Sequence, residues 1–388
     1  MKTKKLLSVA LSICLFICFA GCKSDNAQSV PQKAEEITVK DMAGRTVNIT
    51  PGEYSRVVCI GAGALRMYSY VADVSLLCGV EDIENTTLQE RPKMFDASAR
   101  PYVLAFGETF NKLPSCGVGG PNAQTAEAEK ILSCNPDIII SEYEDADKAD
   151  ALFNQTGVTV ITLKSSPNGI FGEEFKSSIK LLGQVFGTKG EAEKLLQYID
   201  GELEEIKDRT SSVAENEKPT AYICGLGNWG TTNHLMTSET YPTFVVANVK
   251  NAVSGLGIKG VGEIEKEKFV AIGSNTDIMF IDSAAVKNIK PQYKEDKKLF
   301  NSFNAWNNQK VYLQMAYNAY NTNYEISLAN AWFVAKTVYP EKFGDINLEE
   351  KLNEITKVFL GKPLAKEIFA CPASFGGYCQ IDTQNFFE

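Results

Sequence analysis

The residues best suited to binding chemistry are arginines, aromatics and amides that lie in or just after glycine-rich loops and apolar runs. Guanidinium groups bind anionic oxygens through forked hydrogen bonds, and aromatic faces pack against flat apolar groups. In the first half of the chain the candidate ligand-binding residues are Ala62, Gly63, Arg66, Arg100, Tyr102, Asn122, Glu142 and Tyr143. In the second half they are Asn228, Trp229, His234, Tyr241, Ser283, Tyr317, Asn318 and Tyr320.

Several of these candidates have a second interpretation. The tyrosines also fit the core of a folded unit, and Arg66 also fits a solvated helix position. His234 is the only histidine, so it suits coordination of haem iron or an open metal site as well as an ordinary polar contact. Capture of bare manganese or zinc would want several histidine and carboxylate ligands, which a single histidine argues against. We therefore predict no protein-held metal.

Enzymatic functions find little support in the motifs. The segment Gly61-x-Gly63-x-x-Arg66 has an arginine where a dinucleotide fingerprint has its third glycine. An exported hydrolase is disfavoured because the chain has no Gly-x-Ser-x-Gly elbow and one histidine for a triad. A surface adhesin would predict repeats or a flat exposed face. We expect a binding protein with no catalytic residues and no cofactor.

A local pattern occurs twice and indicates how the candidates are positioned. Residues 129–140 and 267–281 each predict a short helix opened by a carboxylate, an Asn-x-Asp turn and a wholly apolar strand. Such a strand is typical of a parallel sheet covered on both faces. Two of these units predict two similar α/β lobes with a cleft between them. Ligands bind at the carboxyl ends of parallel strands, so the candidates are expected to face each other across that cleft.

The remaining elements complete an α/β prediction of two Rossmann-like lobes with parallel sheets, joined by one long spine helix. A hairpin is predicted at residues 37–49, and buried strands at 56–60, 76–80, 138–140, 158–162, 220–224, 278–281 and 311–313. Thr188 and Glu191 predict a capping box that opens the spine helix. Helices are expected at 171–186, 326–338 and 348–360, and the tail after Cys371 is expected to be loop-like. The predicted divisions are a lobe at 37–187, the spine at 188–212 and a lobe at 213–388.

The amino terminus predicts export and anchoring. Lys2, Lys4 and Lys5 precede an apolar stretch at residues 6–20, which is too short to span a bilayer and is typical of a signal peptide over residues 1–21. The sequence Phe19-Ala-Gly-Cys22 predicts a lipobox in which Cys22 receives a diacylglycerol and an acyl chain. An ordinary secretory peptide is the alternative. Residues 22–36 are polar and predict a flexible tether.

Composition supports a folded, exported body. The formal net charge is −9, and removal of the three leader lysines makes it more negative, which disfavours a nucleic-acid partner. Seven cysteines follow the leader, several within apolar runs, where a thiol behaves as a small hydrophobe. Cys371 and Cys379 remain possible disulfide partners. We expect a monomer.

Residues from about 37 to 370 resemble the substrate-binding proteins of bacterial ABC importers, of the iron-siderophore and cobalamin class. The resemblance rests on Asp41-Met-Ala-Gly-Arg-Thr-Val47, on Gly119-Gly-Pro-Asn122 and on the two helix–turn–strand units with one connecting helix. The segment Tyr317-Asn-Ala-Tyr320 with Asn323, Leu328-Ala-Asn-Ala-Trp332 and Tyr339-Pro-Glu-Lys342 resembles a subgroup of ferric-chelate binders. The tail that contains Cys371 and Cys379 lies outside the resemblance.

The resemblance implies a lipid-anchored receptor, on the extracytoplasmic side of the membrane, that hands a ferric-siderophore-type chelate to an ABC permease. Corrinoid or haem is the alternative ligand. It also implies that one surface glutamate per lobe pairs with permease arginines, and the alignment carries these onto Glu129 and Glu267, which would otherwise simply cap their helices. A helical spine further implies that the lobes rock only slightly when ligand binds.

Overall fold

The computed structural model describes residues 35–92, 96–120, 123, 125–166, 171–227 and 232–387. The predicted signal peptide, the predicted lipidation site Cys22 and most of the predicted tether lie outside these residues. The described residues form one compact unit. Within the described residues, no helix has both the length and the apolar character needed to cross a membrane.

The chain opens with the predicted hairpin, formed by β1 (Ile37–Lys40) and β2 (Thr46–Ile49). The strands pair antiparallel, with Ile37 opposite Ile49 and Lys40 opposite Thr46. Asp41 closes the turn because its Oδ1 accepts hydrogen bonds from the backbone N–H groups of Ala43 and Arg45.

The first lobe is built on a five-stranded parallel sheet. Its strands are β3 (Val57–Ile60), β4 (Leu77–Glu81), β5 (Ser115–Gly117), β6 (Ile138–Ser141) and β7 (Thr159–Thr162). They lie in the order β5-β4-β3-β6-β7. Its helices are α1 (Ala64–Val71), α2 (Pro101–Phe110), α3 (Ala128–Ser133), α4 (Ala146–Thr156) and α5 (Glu173–Val185). Every residue of β3 and β6 is buried, as the continuous apolar runs predict.

The long helix α6 (Lys189–Thr210) connects the two sheets and packs against helices of both. It occupies the predicted position, but the predicted capping box is wrong. The Thr188 side chain makes no capping hydrogen bond, and its buried Oγ1 has no partner among the described residues. The backbone of Thr188, at φ −104° and ψ 36°, lies outside the extended region that an N-cap residue usually adopts.

The second lobe is built on another five-stranded sheet. The second-half strands are β8 (Thr220–Cys224), β9 (Met236–Thr237), β10 (Lys250–Asn251), β11 (Gly262–Glu263), β12 (Ile278–Asp282), β13 (Val311–Gln314) and β14 (Cys379–Gln380). The sheet has the order β10-β8-β12-β13-β14, and β9 pairs with β11 as a small separate ribbon. Only the edge strand β14 runs antiparallel to its neighbour in this sheet.

The helices of the second half are α7 (Pro242–Val246), α8 (Lys266–Gly273), α9 (Val286–Glu295), α10 (Lys297–Phe300), α11 (Asn304–Asn307), α12 (Tyr324–Val338), α13 (Leu348–Leu360) and α14 (Ala365–Ala370). The last of them return to the first lobe. Phe359 of α13 meets Tyr70 of α1 edge-on at 5.0 Å, and Lys362 donates to the Ala105 carbonyl of α2. The lobes are therefore held together by side-chain contacts as well as by the connecting helix α6.

The tail after Cys371 is loop-like for most of its length, as predicted, but it also contains a 3₁₀ turn at Pro372–Ser374 and the edge strand β14 (Cys379–Gln380), which was not predicted. Ile381 and Phe387 are buried, and Phe387 stacks on Trp306 at 5.9 Å. Burial of these two apolar side chains gives the tail a reason to fold onto the sheet edge. Cys371 and Cys379 are free thiols.

The repeated Asn-x-Asp turn has the same structural role in both lobes. Asp137 accepts hydrogen bonds from the backbone N–H groups of Ser55 and Arg56, just before β3. Asp277 accepts from the N–H of Thr220, where β8 begins. In each case the carboxylate satisfies an exposed donor at the start of the neighbouring strand, which fixes the register of the two central strands.

Candidate functional site

The strand ends of the two sheets are linked by the loop that follows β13. We call residues 318–322 the clasp turn; Asn318 and Thr322 form a β-bridge across its base. Two of its residues have left-handed backbones, with φ of 51° at Tyr320 and 72° at Asn321. Left-handed backbone is unfavourable for a tyrosine, so surrounding contacts must hold the turn in place.

Arg66 supplies the largest of those contacts. Its guanidinium donates to Asn323 Oδ1 at 2.9 Å and to the carbonyl oxygens of Thr322 at 2.9 Å, Ala319 at 2.8 Å and Tyr320 at 2.6 Å. The side chain is 1% exposed. We expected the Arg66 guanidinium to bind an anionic ligand or to be solvated. It is instead buried and donates hydrogen bonds to acceptors of the second lobe.

Tyr320 reaches from the clasp turn into the first lobe. Its hydroxyl donates to Glu81 Oε2 at 2.7 Å and accepts from the backbone N–H of Gly120 at 3.0 Å. Glu81 ends β4, and its Oε1 accepts from the N–H of Gly61 at 3.1 Å. Burial raises the pKa of the Glu81 carboxyl to about 7.

Asn321 makes the neighbouring contact. Its amide donates to the carbonyl of Ala62 at 3.1 Å and to Glu142 Oε1 at 3.2 Å. Ser165 also donates to Glu142 Oε1. The other oxygen, Oε2, is buried with no partner among the described residues, and burial raises the pKa of this carboxyl to about 8. Position 63 accepts no side chain, because a Cβ there would lie 2.2 Å from that oxygen.

Arg100 and Tyr102 form a separate buried group. Arg100 pairs with Glu84 at 3.2 Å, and the Tyr102 hydroxyl donates to the same carboxylate at 2.8 Å. The Tyr102 ring lies 5.0 Å beneath the Arg66 guanidinium. The Tyr102 hydroxyl and one guanidinium nitrogen of Arg100 are therefore engaged within the protein, whereas the buried Nε of Arg100 has no partner among the described residues.

The strand ends of the second lobe carry polar groups of their own. Asp282 ends β12; burial raises the pKa of its carboxyl to about 7, and Gln314 donates to it at 3.4 Å. Tyr241 donates to the Gln314 amide oxygen at 3.0 Å. Ser283 accepts from the Ala316 N–H, and Asn318 donates to the Gly227 carbonyl. Tyr317 is buried with its ring 6.4 Å from that of Tyr241.

His234 lies away from these groups. Its Nδ1 is 2.7 Å from Gln292 Oε1, and its ring packs edge-on against Phe269 of α8 at 5.1 Å. Burial lowers the pKa of the imidazole, which favours the neutral form. Within the described residues no group of three or more histidine, cysteine or acidic side chains is arranged to hold a metal ion.

The remaining candidates are distributed as follows. Tyr143 lines a small cavity of about 110 Å³ with Ser141, Lys148 and Gln155. Glu129 and Glu267 are both exposed in the first turn of their helices, α3 and α8, which precede β6 and β12. Asn122, Asn228 and Trp229 lie outside the described residues.

Sequence reasoning missed several residues that organise the site. Glu81 and Asp282 are each the first acidic residue after an apolar strand, a signal that was available. Asn321 and Asn323 lie beside candidates that were chosen. Glu325 was hidden within a helix; it accepts from the Tyr70 hydroxyl, and burial raises the pKa of its carboxyl.

A family model described as a periplasmic binding protein matches residues 107–316, more than half of the chain. The chain is 21% identical over 252 residues to the molybdate-binding protein MolA of Haemophilus influenzae, covering 60% of this chain and 69% of that protein. It is 25% identical over 176 residues to an iron-uptake system-binding protein of Bacillus subtilis, covering 43% and 50%. A third relative, an uncharacterized ABC transporter substrate-binding lipoprotein of B. subtilis, is 26% identical over 98 residues, and the match spans only 30% of its length and 24% of this chain.

Solved structures share the fold over most of the chain. MolA of H. influenzae bound to molybdate has a TM-score of 0.62 at 17% identity and covers 84% of this chain and 98% of its own. A TroA-like periplasmic binding protein, FepB of Veillonella parvula, has a TM-score of 0.60 at 21% identity and covers 84% and 97%. The nickel–histidine complex of CeuE from Helicobacter pylori has a TM-score of 0.59 at 17% identity and covers 86% and 99%. At these identities the likeness demonstrates the architecture of two α/β lobes.

Proposed function

The chain belongs to the periplasmic binding protein family, and we propose that it captures a ferric-siderophore-type chelate and delivers it to the permease of an ABC transporter. The observation that carries the proposal is the meeting of strand ends from two sheets. Glu81 and Glu142 from the first lobe lie beside the clasp turn, which follows β13 of the second. Carboxyl ends of parallel strands are where α/β folds bind ligands.

The chemistry of this region favours a chelate over a bare oxyanion. The Arg66 guanidinium donates to four protein acceptors, and the buried Arg100 guanidinium is paired with Glu84, so a small anion would have to compete with a protein partner at either residue. Phenol, amide and carboxyl groups remain at the strand ends, and these recognise hydroxyl and carbonyl groups on an organic ligand. A metal chelate presents such groups around its metal.

The relatives support a metal-containing ligand without fixing which one. Their names and titles mention molybdate, iron uptake and a nickel–histidine complex. Corrinoid or haem is the alternative we retain, because flat macrocycles also suit the tyrosines near the strand ends, such as Tyr241 and Tyr317.

The remaining parts of the proposal concern location and partner. Cys22 would carry the lipid anchor, and Glu129 and Glu267 would contact the permease, one from each lobe. Their exposed carboxylates suit pairing with permease arginines. The protein would act as a monomeric receptor and catalyse no reaction.

A ligand titration tests the proposal. The soluble form that begins at residue 34 has three tryptophans and fifteen tyrosines, so intrinsic fluorescence reports binding of ferric siderophores, cobalamin, haem or molybdate. Calorimetry checks each positive result, because coloured ligands absorb the emitted light. We expect saturable binding of a ferric chelate in the sub-micromolar range. Saturable binding of molybdate alone, or of none of these ligands, would contradict the proposal.

A matched pair of variants locates the binding. Asn318→Ala removes an exposed amide of the clasp turn, whereas Asn308→Ala removes an exposed amide on the far side of β13, after α11. We expect only the first to weaken the chelate. Equal effects of the two variants would place the chelate elsewhere.

A further inference from the structure

We propose that Glu81 and the backbone N–H of Gly120 form a subsite for a phenolic or catecholic hydroxyl of the ligand that does not coordinate the metal, and that the Tyr320 hydroxyl occupies this subsite while the protein is ligand-free. The inference rests on the proposed function and names the part of the chelate that this subsite would take. It follows from three observations: the polarity of the subsite, its narrowness and the way the clasp turn is held.

The polarity selects a hydroxyl. The subsite offers an acceptor, Glu81 Oε2, and a donor, the Gly120 N–H, and the Tyr320 hydroxyl satisfies both, at 2.7 Å and 3.0 Å. Above pH 7, where Glu81 is ionised, a ligand carboxylate or phosphate would satisfy the donor and face the Glu81 carboxylate with like charge. An ammonium would satisfy the carboxylate and leave the N–H without an acceptor. A phenol or catechol hydroxyl donates and accepts, as tyrosine does here.

The subsite is built to be narrow. A Cβ on Gly119 would lie 2.8 Å from the side chain of Glu81, and the φ of Gly119 is +67°. Glycine at this position therefore lets the loop backbone approach the carboxylate closely, which brings the Gly120 N–H into reach of the same hydroxyl. Glu81 is 4% exposed and Tyr320 7% exposed, so the two hydrogen bonds form away from water. Such enclosure makes the match of donor and acceptor decisive for binding.

The backbone of the clasp turn is held independently of the Tyr320 side chain. Arg66 binds the carbonyls of residues 319, 320 and 322, and the Asn323 amide donates to the Tyr317 carbonyl at 3.0 Å. Rotation of the Tyr320 side chain would break the two hydroxyl bonds and leave these contacts in place. An incoming hydroxyl would then remake both bonds, so the exchange conserves hydrogen bonding.

If the Tyr320 side chain fills the subsite in the free protein, a replacement side chain that binds there more weakly should be displaced by ligand more readily. Tyr320→Phe removes the hydroxyl but keeps the ring and the backbone. In this variant the ligand no longer has to displace the hydrogen bond between the Tyr320 hydroxyl and the Glu81 carboxylate. A hydrogen bond to a charged group corresponds to about tenfold in affinity. We therefore expect Tyr320→Phe to bind free catechol, whose hydroxyls keep their protons, about tenfold more tightly than the wild type. The affinity for a ferric hydroxamate, which lacks the phenolic group, should change less than threefold. The changes in affinity for the two ligands should therefore differ by at least half a logarithmic unit.

The test is calorimetric titration of the soluble form from residue 34, at pH 8, above the pKa of about 7 of the Glu81 carboxyl. The matched control is Tyr339→Phe, which removes a buried hydroxyl that donates to the Asn248 carbonyl at 2.7 Å, outside the strand ends. In the Tyr320→Phe background, Glu81→Leu should abolish the gain in catechol affinity. Thermal unfolding of each variant verifies that it is folded at the titration temperature.

The outcomes separate this inference from the proposed function. Catechol affinity that is equal or weaker in Tyr320→Phe than in the wild type overturns the subsite, whatever chelate the protein binds. Tighter catechol binding in Tyr320→Phe, lost again with Glu81→Leu, supports it. If catechol behaves in that way while no ferric chelate binds, the subsite stands and the proposed chelate is wrong. A gain of similar size in Tyr339→Phe would show general loosening and would also overturn the inference.

Discussion

Replacement of Arg66 by methionine should destabilise the protein more than any surface change. Methionine preserves most of the length and the apolar contact with the Tyr102 ring, but it provides no donor. Four acceptors lose a hydrogen bond, and the Ala319 carbonyl keeps a longer one, from the Asn323 amide at 3.3 Å. Asn323 Oδ1 and the carbonyls of Thr322 and Tyr320 have no other donor among the described residues.

The expected magnitude follows from those three acceptors. A buried acceptor left without its donor costs about 1–3 kcal/mol, and carbonyl oxygens fall toward the lower end because their second lone pair relaxes toward water. Three such groups give roughly 3–5 kcal/mol, which matches the usual cost of breaking a buried charged network. Arg66→Lys keeps the charge and up to three donors, so a smaller loss is expected.

Urea unfolding of the soluble form measures the effect, through the midpoint and slope of the first transition. Arg209→Met is the matched control, because Arg209 also forms ion pairs, with Glu205 and Asp345, but its side chain is 25% exposed. Exposed pairs of this kind contribute up to about 1 kcal/mol. A destabilisation by Arg66→Met no larger than that of the control would refute the structural role of Arg66. Unchanged stability together with lost chelate binding would restore the original prediction of a ligand contact.

Three further predictions follow from the same structure. Burial raises the pKa of Glu142 to about 8 from an ordinary 4.5, so its contribution to stability is full below about pH 4.5 and is lost as pH rises toward 8. Glu142→Gln should reduce that decline in urea unfolding measured at pH 5 and pH 8, and an unchanged decline would assign it to other groups. Glu129→Arg combined with Glu267→Arg should leave chelate affinity intact and abolish uptake by cells, whereas charge reversal at the exposed helix-start residues Glu173 and Glu349 should not; normal uptake by the first double variant would exclude the docking assignment. We expect the lobes to rock by only a few degrees when ligand binds, so the small-angle scattering profiles of free and ligand-bound protein should be nearly the same. Profiles that indicate a wide opening would contradict a rigid connection between the lobes.

The architecture was largely accessible from sequence because buried parallel strands leave a direct signal. The strand Thr220–Cys224 and the helix Leu348–Leu360 were predicted with the bounds that the structure has. Most other strands were correct to within one residue, since each is a continuous apolar run bounded by turn residues. The short strands β5, β9, β10, β11 and β14 were missed, because two or three residues of backbone pairing carry no periodicity.

The site was predictable in position and less so in role. Placing candidates at strand ends brought Ala62, Glu142 and Tyr320 into one cluster, as the structure has them. The same rule selected Arg66 and Arg100, whose guanidinium groups bind acceptors within the protein. A charged residue near a strand end has the same local sequence whether it faces a ligand or the other lobe. The difference arises from partners more than 250 residues away for Arg66, which local patterns do not contain.

Because of the long-range contact of Arg66 with the clasp turn, α6 does not by itself limit how far the lobes can separate. If α6 alone connected the lobes, its stiffness would set how far the cleft opens. The structure adds the Arg66 contacts with the clasp turn, and it returns α13 and α14 to the first lobe. Separating the lobes at the floor of the cleft would exchange the four hydrogen bonds of the Arg66 guanidinium for contacts with water, at a net cost of about 0.5–1.5 kcal/mol each that ligand binding would have to offset. Adjustment by single side chains, such as the rotation of Tyr320, requires only two hydrogen bonds to exchange. Ligand entry in this protein is therefore expected to depend on side-chain exchange at the clasp turn more than on movement of whole lobes.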